Sequence, residues 1–133
     1  MKEYLFTYGT LSNGHAPVSV SRVMRKLRPV GEGSIRARLY DLGEYPGAVP
    51  SLSNADRVRG RIFELPGDRK TLSDLDKYEE FFATDPAKSL FVRRKLAVRT
   101  EDGRRLHCWT YLYNHPPAAS KVIKSGDYQR AKA

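Results

Sequence analysis

The chain is poor in cysteine: Cys108 is alone among 133 residues, so no internal disulfide can form and a reducing, cytoplasmic setting is expected. No apolar run approaches the ~20 residues of a membrane-spanning helix. The opening Met-Lys-Glu-Tyr-Leu-Phe-Thr-Tyr lacks the basic, apolar, small order of a signal peptide and passes straight into a strand pattern. His15, His107 and His115 are too scattered for a ligand set, and no metal-binding spacing is present. There is no repeat, no low-complexity stretch and no linker. A nucleophile-elbow motif is absent too, which removes the usual support for a serine hydrolase. At this length, with 40% hydrophobic and 29% charged residues, a single domain over residues 1–133 with one sizeable core is expected.

Positive charge, by contrast, is in excess. Lys and Arg number 24 against 15 Asp and Glu, a net charge of +9. Such a balance suits an anionic substrate or surface, a nucleic acid, or simple solubility. The cations are spread as Arg22, Arg25, Lys26 and Arg28, then Arg57, Arg59 and Arg61, then Arg93, Arg94 and Lys95. No basic arm forms, and no zinc-finger spacing or RNA-binding aromatic signature accompanies them, which argues against nucleic acid. Alternation of Arg57, Arg59 and Arg61 with Val58 and Ile62 reads as the wet face of a strand.

The pieces alternate in type. Tyr4 to Tyr8 has strand character, and Gly9 to Gly14 is rich in turn formers. Residues 17–28 carry Val20, Val23, Met24 and Leu27 on one helical stripe. Ile35, Ala37 and Leu39 alternate with polar neighbours as a second strand, which Gly43 to Gly47 should break. Strands are expected over 58–65, 90–98 and 106–113, the last two joined by a turn at Asp102-Gly103. Between them, residues 68–82 read as a helix with Thr71 and Asp74 in a capping box. Asn114 to Pro117 ends the last strand, and 114–133 reads as a polar tail with room for one short helix. Five strands and two helices predict an α+β domain, most simply a curled antiparallel sheet or small barrel.

One carboxylate breaks the amphipathic pattern. Projected at roughly 100° per residue, Leu72, Leu75 and Phe82 fall within about 80° of one another, and Glu79 lies inside that arc, about 20° from Leu72. Glu80 projects toward water. A carboxylate in apolar surroundings either bonds a structural partner, here a buried Arg or Tyr, or serves as a proton-transfer group. A second point of interest is Tyr8-Gly9-Thr10-Leu11 at the end of the first strand. A glycine there admits close approach to the backbone, and the following N–H groups can turn toward an anion or an oxyanion. A strand-end glycine is equally the mark of a plain turn.

Taken in order, Tyr8-Gly-Thr-Leu11, Leu39-Tyr-Asp-Leu-Gly-Glu-Tyr-Pro-Gly47, Val58-Arg-Gly-Arg-Ile-Phe-Glu-Leu65, Leu75-Asp-Lys-Tyr-Glu79 and Phe91-Val-Arg93 resemble the γ-glutamylcyclotransferase-like family. The nearest likeness is to its Tyr-Gly-Thr-Leu branch, which includes γ-glutamylamine cyclotransferases and AIG2-like proteins, and it spans about residues 4–113. The resemblance implies a small mixed or antiparallel β-barrel flanked by helices. It further implies Glu79 as general acid/base, Tyr8, Gly9, Thr10 and Leu11 as the loop that binds a γ-glutamyl head, a small-molecule substrate, and no cofactor or metal. Three positions depart from the pattern: Glu80 stands where the family often has glycine, Ala37 replaces a frequent glycine, and Ser12-Asn13-Gly14 replaces a more basic segment. The implied reaction releases 5-oxoproline from a γ-glutamyl amine or peptide. Two rivals remain beside it: a non-catalytic basic binding module on the same fold, and a cyclotransferase acting on a carrier-linked γ-glutamyl group. For Tyr8, Tyr45 and Arg93, a packed aromatic or an ordinary ion pair is as good a reading as a substrate contact. The leaving group and the oligomeric state are open at this point.

Overall fold

A computed structural model of the chain describes residues 2–9 and 18–131. Strand β1 (Tyr4–Thr7) leads through the undescribed segment to helix α1 (Val18–Met24) and the long strand β2 (Arg28–Asp41). Strands β3 (Pro46–Pro50) and β4 (Arg57–Glu64) precede helix α2 (Lys70–Tyr78), and β5 (Phe91–Thr100) and β6 (Arg105–Tyr113) complete the sheet. Helix α3 (Tyr128–Ala131) comes last.

Five strands close into a barrel in the order β2-β4-β1-β6-β5, with β5 returning to β2 through the pairs Gly33↔Thr100 and Ser34↔Arg99. All neighbours are antiparallel except β1 and β6, which run parallel. The expected small β-barrel is therefore present, and the parallel β1–β6 pair makes it a mixed one. Alternation explains its filling: Phe6, Ile35, Leu39, Val58, Ile62 and Val98 point inward and are buried. A second apolar cluster lies outside the barrel, where α1 and α2 cover Leu5, Phe91 and Tyr111. Leu75 is wholly buried there, so Leu75→Ala would cost about 2–5 kcal/mol.

Four differences from the sequence reading have physical causes. Strand β3 falls where a break was expected. It pairs only with β2, and an edge strand tolerates the prolines at both its ends. The Thr71–Asp74 capping box does not form; Asp68 Oδ1 instead accepts the Thr71 N–H at 2.9 Å, while Asp74 pairs with Lys70 at 3.1 Å. Helix α2 stops at Tyr78 and does not reach Phe82, whose side chain is exposed. Finally, the C-terminal stretch is polar in composition but packed: Tyr128 enters the barrel core, and the Ile123 N–H donates to the Leu39 carbonyl at 2.7 Å. The Asp102-Gly103 turn forms as predicted, with Gly103 at φ 87°.

Candidate active site

The end of α2 is a Schellman cap. The Phe81 N–H donates to the Asp76 carbonyl at 2.9 Å and the Glu80 N–H to the Lys77 carbonyl at 3.3 Å, with Glu80 in the left-handed region at φ 55°. Glycine is favoured at that position, which accounts for the glycine implied by the resemblance; a side chain there costs about 1–2 kcal/mol. Glu79 is the C-cap, its own N–H still bonded to the Leu75 carbonyl at 2.9 Å. The helix thus delivers Glu79 at its last point of regular geometry, and the chain turns away immediately after.

One turn earlier, Asp76 is tied down on three sides. Arg93 of β5 donates from Nε to Oδ1 at 2.8 Å and from a terminal nitrogen to Oδ2 at 3.1 Å. Tyr111 of β6 donates its hydroxyl to Oδ1 at 2.6 Å. Burial first, then the Asp76 carboxylate, holds the Tyr111 phenol well above its ordinary range, so it stays a donor. The Arg93 guanidinium also lies 4.4 Å from the Trp109 ring centroid. This knot fastens the end of α2 to two barrel strands.

Glu79 receives none of these partners. Its carboxylate has no hydrogen bond or ion pair among the described residues. It is half-buried in the wall of a cavity of about 250 Å³ shared with Thr7, Tyr8, Gly9, Tyr45, Phe91 and Tyr111. Burial alone pushes its carboxyl up to about 7 from an ordinary 4.5. Near neutral pH such a group is divided between its two protonation states, as a proton-transfer group must be. The neighbouring Glu80, in the left-handed turn, stands exposed on the same wall, and burial rather than its charge is the cause of this shift.

The loop residues divide. Tyr8 and Gly9 border the same cavity as Glu79; Thr10 and Leu11 lie outside the described residues. The Tyr8 hydroxyl is satisfied internally: it donates to the Tyr111 carbonyl at 2.6 Å and accepts the Ala48 N–H at 3.1 Å. Tyr8 therefore bolts β1 to β6 and β3 and presents its ring to the cavity. Gly9 is needed for contact, since a Cβ there would come within 2.6 Å of Pro46 Cγ. Tyr45 and Pro46, from the missed strand and the turn before it, form the facing wall. Cys108 is buried with its thiol pushed up to about 12, a packed residue rather than a nucleophile.

The positioning group Asp76 went unmarked in the sequence although it stands in the same Leu-Asp-Lys-Tyr-Glu motif. Its i,i+3 relation to Glu79 was the available signal. What the sequence could not supply was its pairing with Arg93, 17 positions away in the next strand.

Known proteins resemble this chain in sequence and in fold. The sequence matches the family described as gamma-glutamyl cyclotransferase, AIG2-like, over residues 5–130. It is 31% identical over 125 residues to the gamma-glutamylcyclotransferase family protein YtfP of Escherichia coli K12, covering 93% of this chain and 94% of that one. It is 33% identical over 114 residues to the gamma-L-glutamyl-butirosin B gamma-glutamyl cyclotransferase of Niallia circulans, covering 83% of this chain and 66% of the relative. Among solved structures, YkqA from Bacillus subtilis superimposes with a TM-score of 0.74 at 20% identity, and the chain spans only 41% of that protein. An AIG2-like protein from Mus musculus superimposes with a TM-score of 0.71 at 23% identity over 96% of this chain and 88% of that one. At such identities the structural likeness speaks for the fold alone.

Proposed function

The chain belongs to the gamma-glutamyl cyclotransferase, AIG2-like family, and from that membership we propose that it releases 5-oxoproline from a γ-glutamyl amine or peptide, with Glu79 as general acid/base. The observation that carries the reading is the Glu79 carboxylate, without a partner among the described residues and raised to about 7, in the wall of a cavity it shares with Tyr8 and Gly9. Relatives named as γ-glutamylcyclotransferases support activity of this general kind.

The reaction is an internal aminolysis. The substrate's α-nitrogen is tethered near its own γ-carbonyl carbon, so ring closure begins with its entropy cost already met. Ionised Glu79 takes a proton from the α-ammonium group, because an ammonium has no lone pair to attack with. The freed amine forms the C–N bond of a five-membered lactam, and the γ-carbonyl oxygen becomes an oxyanion. Backbone N–H groups of the Tyr8–Leu11 loop hold that oxyanion. As the γ-amide C–N bond breaks, protonated Glu79 returns its proton to the departing nitrogen. The remaining excess proton of the ring nitrogen ends on the amine product, which leaves as an ammonium ion. No external oxidant, reductant or group donor enters this balance.

A space of about 250 Å³ suits an amino-acid-sized γ-glutamyl head with the leaving group directed outward. Glu44 and Glu80 stand at the exposed part of this wall without an ion pair among the described residues, which favours a leaving amine that carries positive charge. A small-molecule substrate and a buried, unreactive thiol fit a cytoplasmic setting.

The test is 5-oxoproline release by the purified protein from γ-glutamyl amines, ε-(γ-glutamyl)lysine, neutral γ-glutamyl dipeptides and glutathione, with Glu79→Gln alongside. Release by the wild type that is lost in the variant is expected. Unimpaired turnover in Glu79→Gln would remove Glu79 from the mechanism.

A further inference from the structure

Away from this cavity, the outer face of the barrel gathers arginines in a way that ordinary solubility does not require. Val58 and Ile62 are buried, so β4 turns Arg57, Arg59 and Arg61 outward. The register then sets like charges against each other. Arg57 stands directly opposite Arg36 on β2, and Arg99 of β5 directly opposite Arg105 of β6. Ser34 has Arg59 on one side and Arg99 on the other, so Arg59, Ser34, Arg99 and Arg105 form one row across four strands. At about 4.8 Å between strands the row is roughly 14 Å wide.

Like charges placed directly opposite destabilise a strand pair, and here two such pairs adjoin. Arg36, Arg59, Arg61, Arg99 and Arg105 form no ion pair among the described residues. Arg57 is held in place by Ser34, donating to its hydroxyl and to its carbonyl at 2.9 Å. Burial, then the charges of Arg99, Arg36 and Arg105, pulls the Arg57 guanidinium below its ordinary value. Arg57, Arg59, Arg61 and Arg99 line a second cavity of about 460 Å³. Its carboxylates are Glu32 and Glu101, both exposed, and Asp127, which accepts the Arg130 N–H at 3.0 Å.

We propose that this cavity binds a small-molecule anion carrying two or more phosphate groups, held by Arg59 and Arg99 across Ser34. Guanidinium forks match phosphate oxygens two at a time, and a multiply charged ligand relieves the repulsion that the register creates. Glu32 stands directly opposite Arg61 and, with Glu101, puts negative charge beside the arginine row, which favours a compact ligand over an extended polyanion. Tyr8 borders both cavities but Glu79 lines only the first, and the proposal does not depend on the 5-oxoproline chemistry.

Calorimetry of the full chain with inorganic pyrophosphate tests it. One-to-one binding to the wild type is expected at low ionic strength. At least tenfold weakening is expected in Arg59→Gln/Arg99→Gln, and none comparable in Arg25→Gln/Lys121→Gln, which removes the same charge elsewhere. No binding by the wild type, or equal weakening in both variants, would overturn the site. Tighter binding of a single-stranded oligonucleotide than of pyrophosphate, with a steeper salt dependence, would overturn the small-ligand assignment. Thermal denaturation without anion keeps the premise open to refutation: Arg99→Gln should melt no lower than the wild type at low salt, and a lower melting temperature would contradict the repulsion.

Discussion

Asp76 and Glu79 lie three residues apart at the end of one helix, and the fold treats their carboxylates in opposite ways. Asp76 accepts three hydrogen bonds from Arg93 and Tyr111, whereas Glu79 has no partner among the described residues and is raised to about 7 by burial. The difference teaches how a small barrel holds a reactive acid. Asp76 is saturated and fixes position; under the proposed mechanism, Glu79 is the carboxylate whose proton moves. The two depend on each other, because the Asp76 knot holds the helix end from which Glu79 projects.

The largest separation is expected in turnover. Under the proposed mechanism Glu79→Gln lowers kcat/KM for 5-oxoproline release by about 10²–10⁴-fold while circular dichroism is unchanged. In Asp76→Asn the stability should suffer instead: urea denaturation is expected to show a loss of about 2–4 kcal/mol, since a half-buried guanidinium loses its bidentate partner.

Next comes the pH dependence of stability. Glu79 has a folded-state value of about 7 against an ordinary 4.5, so between these values the native chain holds a proton that the unfolded chain has released. Stability therefore falls as pH rises from about 4.5 through about 7 and levels off above it. Glu79→Gln escapes that fall. Denaturation at about pH 8 should show the variant more stable than the wild type by about 1–3 kcal/mol, with the gap closing below about pH 4.5. A variant less stable than the wild type at about pH 8 would mean that Glu79 is structurally satisfied after all.

The smallest effect concerns the residue after the cap. Glu80→Gly relieves a left-handed side chain at φ 55° and should raise stability by about 1 kcal/mol by chemical denaturation. No gain would mean that the glutamate side chain makes a compensating contact.

Much of this arrangement was legible beforehand, for identifiable reasons. Period-two alternation marked the strands that close the barrel, because their inner faces are mainly apolar, with Thr100 and Thr110 as buried exceptions. Helical projection singled out Glu79 from Glu80 even though the helix ends one residue before Glu79, because the cap retains helical spacing for that residue. The same projection failed at Phe82, four residues past the helix end, where the left-handed turn had already reset the direction. Strand β3 was hidden by its prolines, which are breakers in a central strand but acceptable on an edge. The Arg93–Asp76–Tyr111 knot joins three elements far apart in sequence, and such pairings follow from register, which no local pattern displays.

The central claim is that the Glu79 carboxylate moves the proton in ring closure. Its most direct test is the pH profile of kcat/KM for 5-oxoproline release, which reports the essential groups of the free enzyme. The account predicts a single-proton rise through about 7 in the wild type, where Glu79 ionises, and no such limb in Glu79→Gln. A profile flat from about pH 5 to about pH 8, or the same limb persisting in the variant, would contradict it.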